Sequence, residues 1–184
     1  QVLANRPDLL PPDVTAELSR LLDCVGAFPY QEVEDILGAQ LGCSPWEVFE
    51  RVEAEPLAAA SIAQVHRAVL KSGEPAVIKV KRPGLEKVVN EDLALLRDIA
   101  AYLEANVEEI RHMQPAELVE EFAASMYQEM DLLSEVRNME RFGRNFADDE
   151  QVRVPRAHRE LCTDELIVME YVEGTKITEV KDWD

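Results

Sequence analysis

The sequence predicts an α+β fold, a small antiparallel sheet packed against helices and preceded by an α-helical extension. Three observations carry this. Apolar residues recur at helical spacing through residues 1–52. Two β-like runs, "IAQVHRAVL" and "PAVIKVK", then flank the turn Lys71-Ser72-Gly73-Glu74, a good hairpin connection. Helical sequence comes next, and two more short apolar runs after it, an order that argues against a doubly wound parallel sheet.

Val14, Leu18, Leu21, Leu22 and Val25 come after the entry Pro11-Pro12-Asp13 and predict a first helix. A second carries Val33, Ile36, Leu37 and Leu41 and stops at Gly42. A third opens with Ser44-Pro45-Trp46-Glu47, a capping box with proline at the first helical position. Trp46 and Phe49 are expected to pack this helix onto the domain behind it, the alternative being that they line a lipid or quinone groove. Residues 1–52 form the extension, and 53–184 the α+β domain. Within the hairpin, period-2 alternation sends Ile78 and Val80 to one face and Val77, Lys79 and Lys81 to the other. After Arg82-Pro83-Gly84, helices are predicted over roughly 85–105 and from Pro115 to about Phe146. The strands "QVRVP" and "ELIVMEYV" close the domain. His66 reads as decorating a strand and His112 as lying in a helix connector.

A chain of 184 residues can bury one good core, or a core with a small appendage. Its 47% hydrophobic and 30% charged residues are those of an ordinary soluble globular protein. No apolar run approaches the roughly 18–20 residues that cross a bilayer, and no signal-peptide pattern opens the chain. Cys24, Cys43 and Cys162 make no C-x-x-C pair, which argues against disulfides and zinc and for a reducing, cytoplasmic setting with the cysteines as small core residues. The net charge of −18 argues against a nucleic-acid partner and a polybasic membrane anchor. An anionic ligand would need a local cluster, and the densest is Lys79, Lys81 and Arg82 in "KVKRPG".

The segment 115–146 holds an anomaly. Leu118, Phe122, Met126, Leu133 and Val136 make an apolar stripe at helical spacing, and Glu129 falls inside it. Such a carboxylate must shift its pKa upward, meet a cation or sit at a wet edge. Gln128, Asp131, Glu135 and Asn138 form a separate polar stripe, which on its own is most simply a solvated face. Lys79, on a strand and in need of a carboxylate, turns these acids into a candidate phosphate and metal clamp.

Taken in order, "PLAAASIAQVHRA", "AVIKVKRPG", "EMDLLSEVRN" and "MEYVEG" resemble the UbiB family, the atypical protein-kinase-like or AarF-type proteins linked to ubiquinone and isoprenoid-lipid metabolism. The opening "QVLANRPDLLPPDV" resembles the segment next to that family's K-x-G-Q motif on its C-terminal side, with Gln1 as the last residue of the motif. The resemblance covers essentially the whole chain. It implies a protein-kinase-like N-lobe up to and just past the hinge, with the extension lying where a kinase would seat a peptide. Ala58, Ala59, Ala60 and Ser61 would form the alanine-rich loop that replaces the kinase glycine-rich loop. Lys79 would contact the phosphates of ATP or ADP, bound with Mg2+. Glu129 and Asp131 match the E-x-D motif, Glu135 the glutamate that pairs with the lysine, and Glu170, Tyr171 and Val172 the hinge. Alanine methyls restrict the backbone freedom that glycines supply, so this loop is expected to be stiffer and to disfavour ordinary phosphotransfer to protein.

Two features depart from the pattern. Ala63 stands where the family usually has glycine, and "HREL" at His158 to Leu161 lacks the aspartate and asparagine of a catalytic loop, so it reads as a connector. The C-lobe residues that complete a kinase site do not come after Gly174, so the chain is expected to lack turnover by itself. Three functions stay open: an ATP-dependent kinase-like ATPase, a non-catalytic pseudokinase-like scaffold binding an isoprenoid lipid or a quinone-pathway protein, or, as the weakest of the three, an unrelated acidic α+β interaction domain that would show no nucleotide effect. The resemblance also allows peripheral membrane contact in the full-length protein.

Overall fold

The computed structural model describes residues 26–175. The readings for the first helix, Gln1, Cys24 and the tail after Thr175 lie outside the described residues.

Helix α1 (Tyr30–Leu41) ends at Gly42, whose φ of +67° is the left-handed geometry that favours glycine. The capping box then starts a helix of one turn only, α2 (Pro45–Val48), with the Ser44 N–H donating to Glu47 Oε1 at 3.2 Å. Here the helical reading of residues up to 52 fails. Phe49–Val52 is an edge strand, β1. Its backbone finds partners on Ala68, Val69 and Leu70 of a later strand, and Phe49 is fully buried in the core, while Trp46 stays exposed.

The sheet is antiparallel. Strands β3 (Ala63–Leu70) and β4 (Pro75–Lys81) form the predicted hairpin, with Gly73 at φ +84° in its turn, and β5 (Leu166–Glu170) lies on the far side of β4. The other edge of β3 is shared by β2 (Ala58–Ala59) and β1. The predicted strand "QVRVP" is absent: of the chain between the helices and β5, Ala157 alone makes an isolated bridge, to Met169. Residues 156–158 run beside β5 through the Glu170 N–H to the Arg156 carbonyl and the His158 N–H to the Val168 carbonyl, both 2.8 Å. Arg159–Leu161 is a short 3-10 turn, so "HREL" is a connector.

Alternation divides the sheet. Val52, Ala68, Leu70, Ala76, Ile78, Val80, Leu166 and Val168 share one core with Val33 and Leu37 of α1. His66 lies on a strand as read, within β3, and its side chain belongs to this buried face. Its Nδ1 lies 2.7 Å from the Glu53 carbonyl and its Nε2 2.7 Å from Gln64 Nε2. The opposite face carries Lys79 and receives the helices later in the chain.

Helix α3 (Leu85–Asn106) begins after Gly84, also in the left-handed region at φ +70°. The short α4 (Glu108–Arg111) and a connector containing His112 lead to α5 (Pro115–Met130), which lies against α3 through Arg97–Glu120 and Tyr127–Asn90 hydrogen bonds. The long helix expected up to Phe146 is broken at Asp131, where α6 (Leu132–Asn145) starts in a new direction. The cause is local. Asp131 takes φ −82° and ψ 88° and caps α6 with its side chain, accepting from the Ser134 N–H at 3.0 Å.

Candidate functional site

Lys79 occupies the middle of a row running across the sheet. Register places Ala58 opposite Val65, Val65 opposite Lys79, and Lys79 opposite Ile167, so the four residues share one face. Helix α6 packs on that face by burying Leu132 and Val136 against Ile167. This seating brings Glu135, one turn into α6, to Lys79: Nζ and Oε2 are 2.5 Å apart. The pair is half-shielded, with 25% of the lysine and 40% of the glutamate side chain exposed. One of the three ammonium donors is spent on Glu135, which leaves donors for an incoming anion. On the same face, Val77 is buried and Val65, Arg67 and Met169 are partly so, with the Arg67 guanidinium 4.4 Å from the centroid of the Tyr171 ring.

The three cations of "KVKRPG" do not form one anion cluster. Lys81 is buried against Glu86 at 2.9 Å, and Arg82 is turned onto the Ala60 and Gly26 carbonyls. Lys79 alone of the three faces the sheet's open side with donors to spare.

The alanine-rich segment is a narrow hairpin. Ala58 and Ala59 form β2, the Ala60 N–H donates to the Ala63 carbonyl at 2.9 Å, and Ser61 sits at the bend. Gln114 is the one non-glycine residue at positive φ among the described residues, so no residue of this loop needs the left-handed region and alanine enters it without backbone strain. Ala63, inside β3 and buried, likewise needs no glycine freedom.

The acidic residues divide differently from the helical-stripe reading. Because the helix breaks at Asp131, the apolar stripe is not continuous. Helix α5 buries Ala123 and Met130, whereas Leu118 and Phe122 are exposed. Glu129 is exposed too, at the wet edge that is one of the ways such a carboxylate can be accommodated. It joins Gln128, Asp131, Glu135 and Asn138 along an open groove of about 570 Å³, which Phe142 and Val154 also line. Asp131 spends its carboxylate on structure. Besides the Ser134 backbone, it accepts from Ser134 Oγ at 2.5 Å and Arg137 Nη2 at 2.9 Å. The Ser134 hydroxyl, aided by the Ser134 amide and the Arg137 charge, holds its carboxyl below the ordinary carboxylate value.

At the expected hinge, the Glu170 carboxylate is held by Arg153 and by the Arg156 N–H, which keeps it below its usual pKa, the Arg153 hydrogen bond being the main cause. The Glu170 and Tyr171 amides are committed to the Arg156 and Pro75 carbonyls. The sequence reading missed Val65, Val77 and Met169 as an apolar floor beside Lys79. Their signal was present, because each is in register with, or two residues from, a residue of the lysine row.

A small antiparallel sheet whose central lysine is paired to a glutamate on a packed helix defines a protein-kinase-like N-lobe. A family model for the ABC1 atypical kinase-like domain matches residues 20–184, and the chain belongs to that family. It is 43% identical over 180 residues to a protein of Pseudomonas putida named "Probable protein kinase UbiB", covering 98% of this chain and 33% of the relative. It is 41% identical to the protein of the same name from Cellvibrio japonicus, with the same coverage. The chain thus spans about a third of the length of these relatives. Among solved structures, Rv3197 of Mycobacterium tuberculosis, determined as a complex with erythromycin, shares the fold with a TM-score of 0.72 at 22% identity, over 95% of this chain and 44% of that one.

Proposed function

We propose that this chain is the nucleotide-facing part of a UbiB-type kinase-like ATPase, and that the full-length protein acts in ubiquinone or related isoprenoid-lipid metabolism. The observation that carries the reading is the Lys79–Glu135 pair at 2.5 Å on a strand row that continues to Ala58. Lys79 donates to the phosphates of ATP or ADP, Glu135 orients it, and the apolar surface of Val65, Val77 and Met169 receives the base. The alanine hairpin closes over the phosphates. Val172 is the hinge position left to donate its amide to a base, since the Glu170 and Tyr171 amides are already used.

Magnesium accompanies the nucleotide in this reading and would neutralise phosphate charge when bound. Among the described residues no group of three or more His, Cys, Asp or Glu side chains is gathered to hold it, and Asp131 is occupied as a cap. In this reading its ligands come from a second lobe outside this segment, as in other kinases.

The test is a thermal-shift titration of the full-length protein and its Lys79→Ala variant with Mg-ADP. At a hundred times Kd, binding should stabilise the wild type by about 2.7 kcal/mol, and the variant should lose that response. A flat response in the wild type would overturn the nucleotide reading and favour a scaffold.

A further inference from the structure

Arg82 sits where three parts of the molecule meet. Its Nε donates to the Ala60 carbonyl and its Nη2 to the Gly26 carbonyl, both at 2.7 Å, and its guanidinium lies 5.5 Å from the centroid of the Phe28 ring. Its own N–H donates to the Ile62 carbonyl at 2.8 Å. One side chain thus bridges the tip of the alanine hairpin and the segment leading into α1. A second tie runs between the same two parts. The Phe28 N–H donates to Gln64 Oε1 at 2.9 Å, and Gln64 Nε2 to the Phe28 carbonyl at 3.4 Å, while Gln64 is the cross-strand partner of Ala59. The hairpin is therefore held at its tip by Arg82 and along its strand by Gln64, both against residues 26–28.

We propose that Arg82 is a positioning residue that locks the alanine hairpin to the Gly26–Phe28 segment, so that the placement of the N-terminal region sets the geometry of the loop. The chemistry favours this role over anion binding. A planar guanidinium fork presents separate nitrogens to two carbonyls at a fixed separation, whereas a lysine offers all its donors from one nitrogen. Ala60 and Ser61 have no side-chain hydrogen bond of their own to fix the turn among the described residues, so a donor from outside the hairpin supplies it. The consequence for nucleotide rests on the function proposed above; the lock itself does not.

Hydrogen–deuterium exchange on the nucleotide-free full-length protein tests the lock. In Arg82→Gln the Ala60 and Phe28 amides should exchange roughly tenfold faster, the scale of one net hydrogen bond, since both Arg82 bonds are exposed, while Ile78 and Val168 keep wild-type rates. Unchanged exchange at Ala60 and Phe28 overturns the proposal. So does a uniform rise that includes β4 and β5, which would make Arg82 an ordinary stabilising residue. Arg82→Lys keeps the charge and covers the case in which Arg82→Gln does not fold; the same two amides should quicken, and unchanged rates again overturn the lock. In a parallel titration with Mg-ADP, Arg82→Gln should bind roughly tenfold more weakly than wild type. Absence of binding to the wild type would remove the nucleotide reading and leave the exchange result standing. Equal binding by both proteins, with exchange quickened, would remove the coupling to nucleotide.

Discussion

Lys81 Nζ reaches the carbonyl oxygen of Met130, the residue between Glu129 and Asp131, at 3.5 Å. Its stronger partner is Glu86 at 2.9 Å, and the two differ sharply in setting: 5% of the lysine side chain is exposed against 63% of the glutamate. The ammonium thus pins the start of α3 and the end of α5 to the end of β4. This asymmetry orders the mutant effects. Lys81→Met replaces a buried cation with an apolar group of similar length and leaves Glu86 in water, so its cost should stay within about 1 kcal/mol. Glu86→Ala strands the cation and should cost more, about 1–3 kcal/mol after allowance for the glutamate's exposure. Urea denaturation of both variants checks this, and the reverse order would show that the pair is a net stabiliser of the ordinary surface kind.

Lys79 and Glu135 should behave in the opposite way, with little consequence for stability and a large one for ligand. Both are partly exposed, so Lys79→Ala or Glu135→Ala should each cost under about 1 kcal/mol. Each should abolish most of the stabilisation by Mg-ADP, and the double variant should lose no more than either single one, because the two groups act as a unit. Additive losses in isothermal titration would mean that Glu135 touches the ligand independently of Lys79.

The legible and the hidden parts of the fold differ for physical reasons. The hairpin, α1 and α3 were legible in the sequence because alternation, a turn glycine and an αL stop are local signals, and Lys79 with Glu135 could be paired from the family resemblance. Phe49–Val52 was not, since its strand identity comes from pairing with Leu70, Val69 and Ala68, some twenty residues away. The helix break was written locally, in Asp131 with Ser134 three residues later, but a continuous helical period across it concealed the cap. That one omission put Glu129 in a buried stripe it does not occupy. The Arg82 bridge joins positions 56 residues apart and leaves no periodic trace.

The cap at Asp131 separates two roles that the E-x-D pattern merges. Asp131→Asn keeps an acceptor for the Ser134 amide and should lose only a few tenths of a kcal/mol, whereas Asp131→Ala should cost about 1 kcal/mol or more. If the residue's work is to start α6 and so place Glu135, the asparagine variant should retain Mg-ADP binding in the full-length protein. A variant that folds as wild type yet no longer responds to magnesium would show instead that the carboxylate charge itself meets the metal.

His66 makes the fold sensitive to mild acid. Burial is the main force holding its pKa below the ordinary value of 6.5, and the Glu53 carbonyl opposes this only in part by accepting a hydrogen bond from the ring. With Nδ1 donating to that carbonyl, Nε2 is left to accept from Gln64 Nε2, an arrangement available to the neutral ring only. The folded pKa is depressed, so between it and the unfolded value the unfolded chain binds the extra proton and stability rises with pH. The contribution is complete above about 6.5 and drains away as the pH falls below it. The depressed carboxyls of Asp131 and Glu170 lose their own contributions only at lower pH, as it falls through their folded values, so they do not obscure this window. Thermal unfolding measured between about pH 7 and pH 5 should therefore show a steeper fall in Tm for wild type than for His66→Gln, which retains a donor and an acceptor but cannot titrate. Because Gln64 also holds Phe28, the same acidification should lower the protection of the Phe28 amide, taken relative to the intrinsic exchange rate at each pH, in the wild type alone; parallel pH profiles in the two proteins would sink this account of His66.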